Sequence, residues 1–158
     1  MLTAEKLMDL LCYYPETGSF RFRHGARAGR EAGGLWQGRY WRISVGGQQY
    51  LAHRLAWLYV HGKWPPDQID HVNANGLDNR LANLRLASQG LNNANRRLGR
   101  NNTSGIKGVR WHSGHGKWYA GISIAGRQKH LGTFTSKEEA TQAYRAAAKL
   151  HFGEFART

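Results

Sequence analysis

Four polar side chains stand at spacings that permit phosphodiester hydrolysis: Asp70 beside His71, then Asn83 and Asn92. Asp70 and Asn92 offer oxygen, the donor that suits Mg²⁺ or Mn²⁺ rather than zinc. Such a cation keeps several waters and takes further ligands from substrate phosphates, so two protein donors are workable. His71 has an unperturbed pKa near ~6.5 and can take a proton from water at neutral pH. Asn83 can hold the imidazole by accepting a hydrogen bond from its other nitrogen. A base beside a phosphate-bound metal forms a phosphodiesterase constellation, in which the base activates water and the cation stabilises the developing and leaving oxyanions.

The elements that must position these residues occupy Ile69 to Arg97. The stretch reads as strand, long polar loop (Asn73, Asn75, Gly76, Asp78, Asn79), a second strand with Leu84 and Leu86, and a helix capped by Ser88. A strand end and the first turn of the next helix can face each other across a tight hairpin, which would bring Asp70, His71 and Asn92 together. The competing reading is plain turn chemistry, because Asn and Asp are common turn residues.

The segment Asp70-His71, Asn79-Arg80, Asn83-Leu84-Arg85, Asn92 and Asn95 resembles the HNH (ββα-metal) endonucleases of phage homing and free-standing type. Ala52-His53-Arg54-Leu55-Ala56-Trp57 and Gly62-Lys63-Trp64-Pro65 look like the usual lead-in to that module. The resemblance implies His71 as general base, Asp70 and Asn92 as metal ligands, and Asn83 as orienter. His53 and Arg54 would then lie near the site, in packing or phosphate-binding roles.

Charge points to a polyanionic partner, most simply nucleic acid. Lys and Arg number 23 against 10 acids, a formal charge of +13. Asn79 to Lys137 contains no acid and eleven basic residues, so the electrostatic footprint is expected there. Arg80, Arg85, Arg96, Arg97 and Arg100 are candidates for phosphate contact. No amphipathic basic helix argues for a membrane surface, and no apolar run spans a bilayer. The single Cys12 excludes intrachain disulfides and cysteine-based zinc sites. The expected location is cytoplasmic, with a monomer favoured and no protein partner implied.

Along the chain, Thr3 to Tyr13 reads as a capped helix and Ser19 to Arg23 as a strand. Arg23 to Gly34 reads as a loop, touching phosphate or mobile in solvent. Tyr40 to Ala52 reads as a hairpin and His53 to Val60 as a helix. Arg96 to Gly105 reads as a basic linker. Three strands (Gly108 to His112, Lys117 to Ala125, Gln128 to Phe134) and a helix opened by the Ser136-x-x-Glu139 capping box follow. Ala140, Ala143, Tyr144, Ala147 and His151 share one face of that helix. Val109, Trp111, Trp118, Ala120, Ile122, Ile124 and Leu131 should point at it. The opposite sheet face then shows Arg110, His112, Tyr119, Gly121, Ser123, Gln128 and His130.

This second unit resembles the DNA-binding domain of plant ethylene-response factors (the Apetala family). The likeness is carried by Lys107-Gly108-Val109-Arg110, Gly116-Lys117-Trp118-Tyr119-Ala120, Leu131-Gly132-Thr133-Phe134 and Glu139-Ala140-x-x-Ala143-Tyr144. It implies groove-facing roles for Lys107, Arg110, His112, His115, Gln128 and His130. The plant pattern has Glu and Arg where this chain has Gly121 and Ser123, and Trp at His115 and His130, so the plant target sequence does not carry over. A metal site built on His112, His115 and His130 is the alternative, without cysteine partners or tight spacing to support it.

The expected fold is α+β. Residues 1–95 form an HNH nuclease domain wrapped by hairpins and helices, 96–105 a linker, and 106–158 a three-stranded antiparallel sheet packed on one helix. The expected activity is metal-dependent cleavage or nicking of double-stranded DNA at a site read by the C-terminal domain. The runner-up is a DNA-binding regulator with an inactive nuclease fold. An RNA-binding protein would want exposed stacking residues for single strands.

Overall fold

The computed structural model describes residues 1–157 and is mixed α+β, as expected. Met1–Ala87 forms one compact unit, and the residues from Ser88 onward form a second.

In the first unit, α1 (Ala4–Leu10) is capped by Thr3, whose hydroxyl accepts from the Lys6 amide at 3.3 Å. The helix expected to reach Tyr13 stops at Leu10. Leu11–Tyr14 is instead β1, paired antiparallel with β2 (Ser19–Phe22). Cross-strand packing overrides the helical stripe: Tyr13 and Phe20 are register partners, both buried, with ring centroids 4.8 Å apart. Residues 23–33, expected as a loop, contain a 3₁₀ turn at Gly25–Arg27. That loop is closed on itself. The Phe22 amide donates to the Arg30 carbonyl at 3.0 Å, and the Gly29 amide donates to the Phe22 carbonyl at 2.8 Å.

A three-stranded sheet follows, with β4 (Tyr40–Val45) between β3 (Gly34–Trp36) and β5 (Gln48–Leu51). Strand alternation sends Ile43 and Val45 into the core. Helix α2 (Ala52–His61) contributes Ala52, Leu55, Ala56 and Leu58 to the same core and ends at Gly62 in a left-handed turn. Leu7, Leu11 and Phe20 complete that core. Burying each such Leu or Phe contributes about 1.5–3 kcal/mol. Strands β6 (Gln68–His71) and β7 (Leu84–Ala87) close the unit as a hairpin, with Ile69 and Leu84 anchored in the same cluster.

The second unit opens with α3 (Gln89–Asn95), capped by the Ser88 hydroxyl as expected. Strands β8 (Val109–His112), β9 (Lys117–Ile124) and β10 (Arg127–Phe134) form a sheet with β9 central. Helix α4 (Lys137–Phe152) opens with both bonds of the Ser136–Glu139 capping box and ends at Gly153. Val109, Ala120 and Ile122 meet Ala140, Tyr144 and Ala148 in its core. Gly108 has φ +64°, and a Cβ there would strike the Tyr144 ring and the Gly121 carbonyl, so only glycine lets the chain pass.

Two expected core positions differ. Trp111 lies on edge strand β8 and is 49% exposed, its ring against the edge of Trp118. His151 is exposed, while Ala148, four residues after Tyr144, carries the buried stripe. The end of the expected linker is knit into this unit. The buried Ser104 hydroxyl donates to the Val109 carbonyl at 2.6 Å, and Asn102 brackets Gly105 and Ile106 with two further bonds.

Candidate active site

Strand register dictates the first interaction. Asp70 and Arg85 are cross-strand partners on the β6–β7 hairpin, which puts their Cβ atoms about 4.5–5.5 Å apart on one face. Both Nε and Nη2 of Arg85 lie 2.9 Å from Asp70 Oδ2. Asp70 is 4% exposed. The guanidinium supplies the charge that a carboxylate needs when water is withdrawn. Arg85 was expected on a phosphate. It is instead engaged inside the protein, because a buried acid opposite it claims its charge.

His71 ends β6 and packs with different neighbours. Its ring lies 4.9 Å from that of His53, at 89°, and 6.2 Å from that of Tyr40. His53 opens α2 and is buried, and its Nδ1 has no hydrogen-bond partner among the described residues. Burial first, then repulsion from His71 and Arg54, pushes the His53 imidazole down to about 3, so it is neutral. Burial also pushes His71 below the ordinary imidazole value. Its hydrogen bond to Asn79 and the charges of Asp70 and Asp78 oppose that shift.

The orienter of His71 is not Asn83. His71 Nε2 stands 3.3 Å from Asn79 Oδ1. With the Asn79 amide nitrogen donating to the Leu77 carbonyl at 3.2 Å, the oxygen is left to accept from the ring. In the tautomer protonated on Nε2, the basic lone pair is that of Nδ1. Asn79 is itself held: the Tyr13 hydroxyl donates to its carbonyl at 2.7 Å. Gly18, with φ +75°, lets the β1–β2 turn close directly onto the Asn79–Arg80 backbone.

Asn83 organises the loop. Its oxygen accepts from the Asn73 amide at 3.0 Å, and its amide nitrogen donates to the Asp78 carbonyl at 2.7 Å and to Asn73 Oδ1 at 3.1 Å. The expected bond to His71 is therefore replaced by bonds across the loop's neck. Asp78 receives Arg80 on both oxygens, at 2.7 and 2.6 Å. That partner, first among several, holds the Asp78 carboxyl down to about 2. Arg80, expected to contact phosphate, is thus committed to an ion pair while 54% exposed. Asn79 and Tyr40 are the residues that sequence reasoning missed. Asn79 stood in the quoted motif but read as one turn residue among many.

Residues 50–94, from β5 into α3, match the HNH endonuclease family model. Over 106 residues the chain is 34% identical to Protein 3.8 of Escherichia phage T7, spanning 66% of this chain and 87% of that protein. Over 111 residues it is 33% identical to an uncharacterized HNH endonuclease of Acanthamoeba polyphaga mimivirus, spanning 70% of this chain and 57% of that one. The chain is thus a relative of Protein 3.8, and its residues 50–94 carry an HNH endonuclease domain. An HNH domain implies DNA as substrate, and HNH nucleases generally use a divalent metal.

Among the described residues no three His, Cys, Asp or Glu side chains gather at one point. Carboxylate and amide oxygens, where they gather, suit Mg²⁺ or Mn²⁺. His112, His115 and His130 form no such group among the described residues. Asn92 lies in α3, in the second unit, half-buried.

On the second unit of the HNH protein, the sheet face away from α4 carries a cleft of about 430 Å³. It is lined by Arg110, His112, His115, Tyr119, His130 and Thr133. The Arg110 guanidinium lies 4.4 Å over the Tyr119 ring, and Tyr119 stacks on His130 at 4.6 Å. Gly121 makes that stack possible, since a Cβ there would meet the Tyr119 ring. Gln128, Arg96, Arg97 and Arg100 are exposed. Lys107 is not presented to a groove. It is half-buried and donates to the Ala94 carbonyl at the end of α3, where burial, then Arg157 and Arg96, bring its ammonium down to about 8.

Proposed function

We propose that this HNH protein is a metal-dependent, homing-type endonuclease that nicks or cuts double-stranded DNA at a site read by its C-terminal unit. His71 is the general base: its Nδ1 takes a proton from water as the oxygen attacks phosphorus, and the 3′ oxygen departs. Asp70 would hold the cation, with Asn92 as a second oxygen donor assigned by family resemblance. When bound, Mg²⁺ supplies charge stabilisation to the reacting phosphate and its leaving oxygen. Asn79 and Asn83 are positioning residues, one for the imidazole and one for the loop that carries it. The observation that carries this reading is the buried His71 ring, with its Nε2 3.3 Å from Asn79 Oδ1.

Plasmid relaxation tests it. Wild-type protein should convert supercoiled DNA to open-circular or linear form in Mg²⁺ or Mn²⁺, and EDTA or Asp70→Ala should abolish the conversion. Undiminished cutting in chelator would remove the cation from the mechanism.

Residues 106–156 are the site reader in this proposal, docking their sheet in a major groove as the ethylene-response-factor domain does. Arg96, Arg97 and Arg100 would contact phosphates, and Arg110, His112, His115, Gln128 and His130 would face the bases. Stacking on Tyr119 holds the Arg110 fork rigid, which favours a bidentate contact to guanine. Arg110→Ala should weaken binding to the cognate site by about 1–3 kcal/mol and should weaken random DNA less. Equal losses on both DNAs in gel-shift titrations would make Arg110 a phosphate contact.

A further inference from the structure

The first unit carries a basic groove that the catalytic reading leaves unused. Its floor is the solvent face of the β3–β4–β5 sheet. Cross-strand pairs Gly34–Arg42, Arg42–Leu51 and Ser44–Gln49 put Arg42, Ser44 and Gln49 on that face. Tyr40 belongs to the same row, two residues before Arg42, and it reaches the His71 and His53 rings. The groove's wall is the closed loop of residues 23–33. Together they enclose about 440 Å³, lined among others by Arg27, Arg30, Arg42, Glu31, Ser44 and Gln49.

Three features make this groove an anion site rather than a solvated surface. The three guanidiniums have no ion partner among the described residues, Glu31 notwithstanding. Two are braced: Arg27 lies 4.4 Å over the Phe22 ring and Arg42 lies 5.2 Å over Trp36, which fixes their planes without neutralising them. The loop that presents Arg27 and Arg30 is tied at its base, and Arg21 Nη1 donates across it to the Gly29 carbonyl at 3.3 Å. Distance suits a DNA strand running through the site. Arg42 lies about 7 Å and Ser44 about 13 Å along the strand from Tyr40. One DNA strand carries a charge every 3.4 Å of axis, so Arg42 and Ser44 stand roughly two to four phosphates along from Tyr40.

We propose that Arg27, Arg30 and Arg42 bind the sugar–phosphate backbone of the scissile strand, beside the phosphodiester cut at His71. The site deepens the nuclease reading and rests on it for the strand's identity. Its role is to hold the scissile strand against the first unit, independently of the site reader.

The test uses the full chain carrying His71→Ala, so that DNA stays intact, and measures affinity for a random-sequence duplex against salt. Each phosphate neutralised contributes about 0.9 to the slope of log K on log salt. Arg27→Gln/Arg30→Gln/Arg42→Gln should therefore reduce the slope's magnitude by about 2–3, and the triple Lys variant should restore it. If the triple Gln variant loses its circular-dichroism signal, the two exposed loop positions are tested singly, each expected to cost about one unit of slope. A slope equal to that of the His71→Ala parent overturns the proposal. Cleavage by the His71-intact chain is scored separately. A chain that never cuts but loses slope removes the nuclease reading and leaves the groove standing.

Discussion

His71→Ala should lower DNA cleavage by roughly 10²–10⁴-fold, the usual scale for loss of a general base, while DNA affinity stays unchanged. The ring contacts protein on several sides, through Asn79, His53 and Tyr40, so alanine removes the base without removing a surface arginine. Parallel loss of binding and cutting would contradict the assignment. The pH profile is a second readout. Only neutral imidazole accepts a proton, and burial lowers the His71 pKa from its ordinary 6.5. The acid limb of kcat/KM should therefore fall below pH 6.5, with activity persisting into mildly acidic buffer. A limb above pH 6.5 would mean that another group, or a charged imidazole, governs the reaction.

Arg85→Ala should be the most damaging single change to stability. It strips the buried Asp70 carboxylate of the guanidinium lying 2.9 Å away, and breaking a buried pair from one side costs about 3–5 kcal/mol. For a protein of this size that is a drop in Tm of roughly 6–20 °C, read by calorimetry. Removing both partners, Asp70→Ala with Arg85→Ala, should recover part of the loss, because the carboxylate's unpaired charge is gone. A double variant no more stable than Arg85→Ala would show that the guanidinium acts through packing and not through the acid.

Much of this could be read from residue types alone. The Ser88 cap and the Ser136–Glu139 box are local devices whose partners lie three residues away, so the sequence displays them directly. The elements that went astray depend on distant partners. Leu11–Tyr14 leaves α1 because Phe20 and Phe22 lie across from it. Arg85 and Lys107 turn inward because Asp70 and the end of α3 await them, and nothing in the charge count of a basic chain distinguishes an engaged cation from a presented one. The exchange of roles between Asn79 and Asn83 has the same origin. Both are amides in one polar loop, and only the folded path shows which reaches the imidazole and which ties the loop's neck.

The Lys107 contact bears on how such proteins can be recombined. A chimera that exchanges site readers by splicing at residue 95 or 105 would separate the α3 carbonyl from the ammonium that caps it, and the splice at 105 would also break the Asn102–Ser104 fastening beside β8. A graft made between Ala87 and Ser88 keeps both intact. Natural exchange of target preference between relatives should then leave its crossover before α3, with the helix inherited from the donor of the reader and not from the donor of the blade.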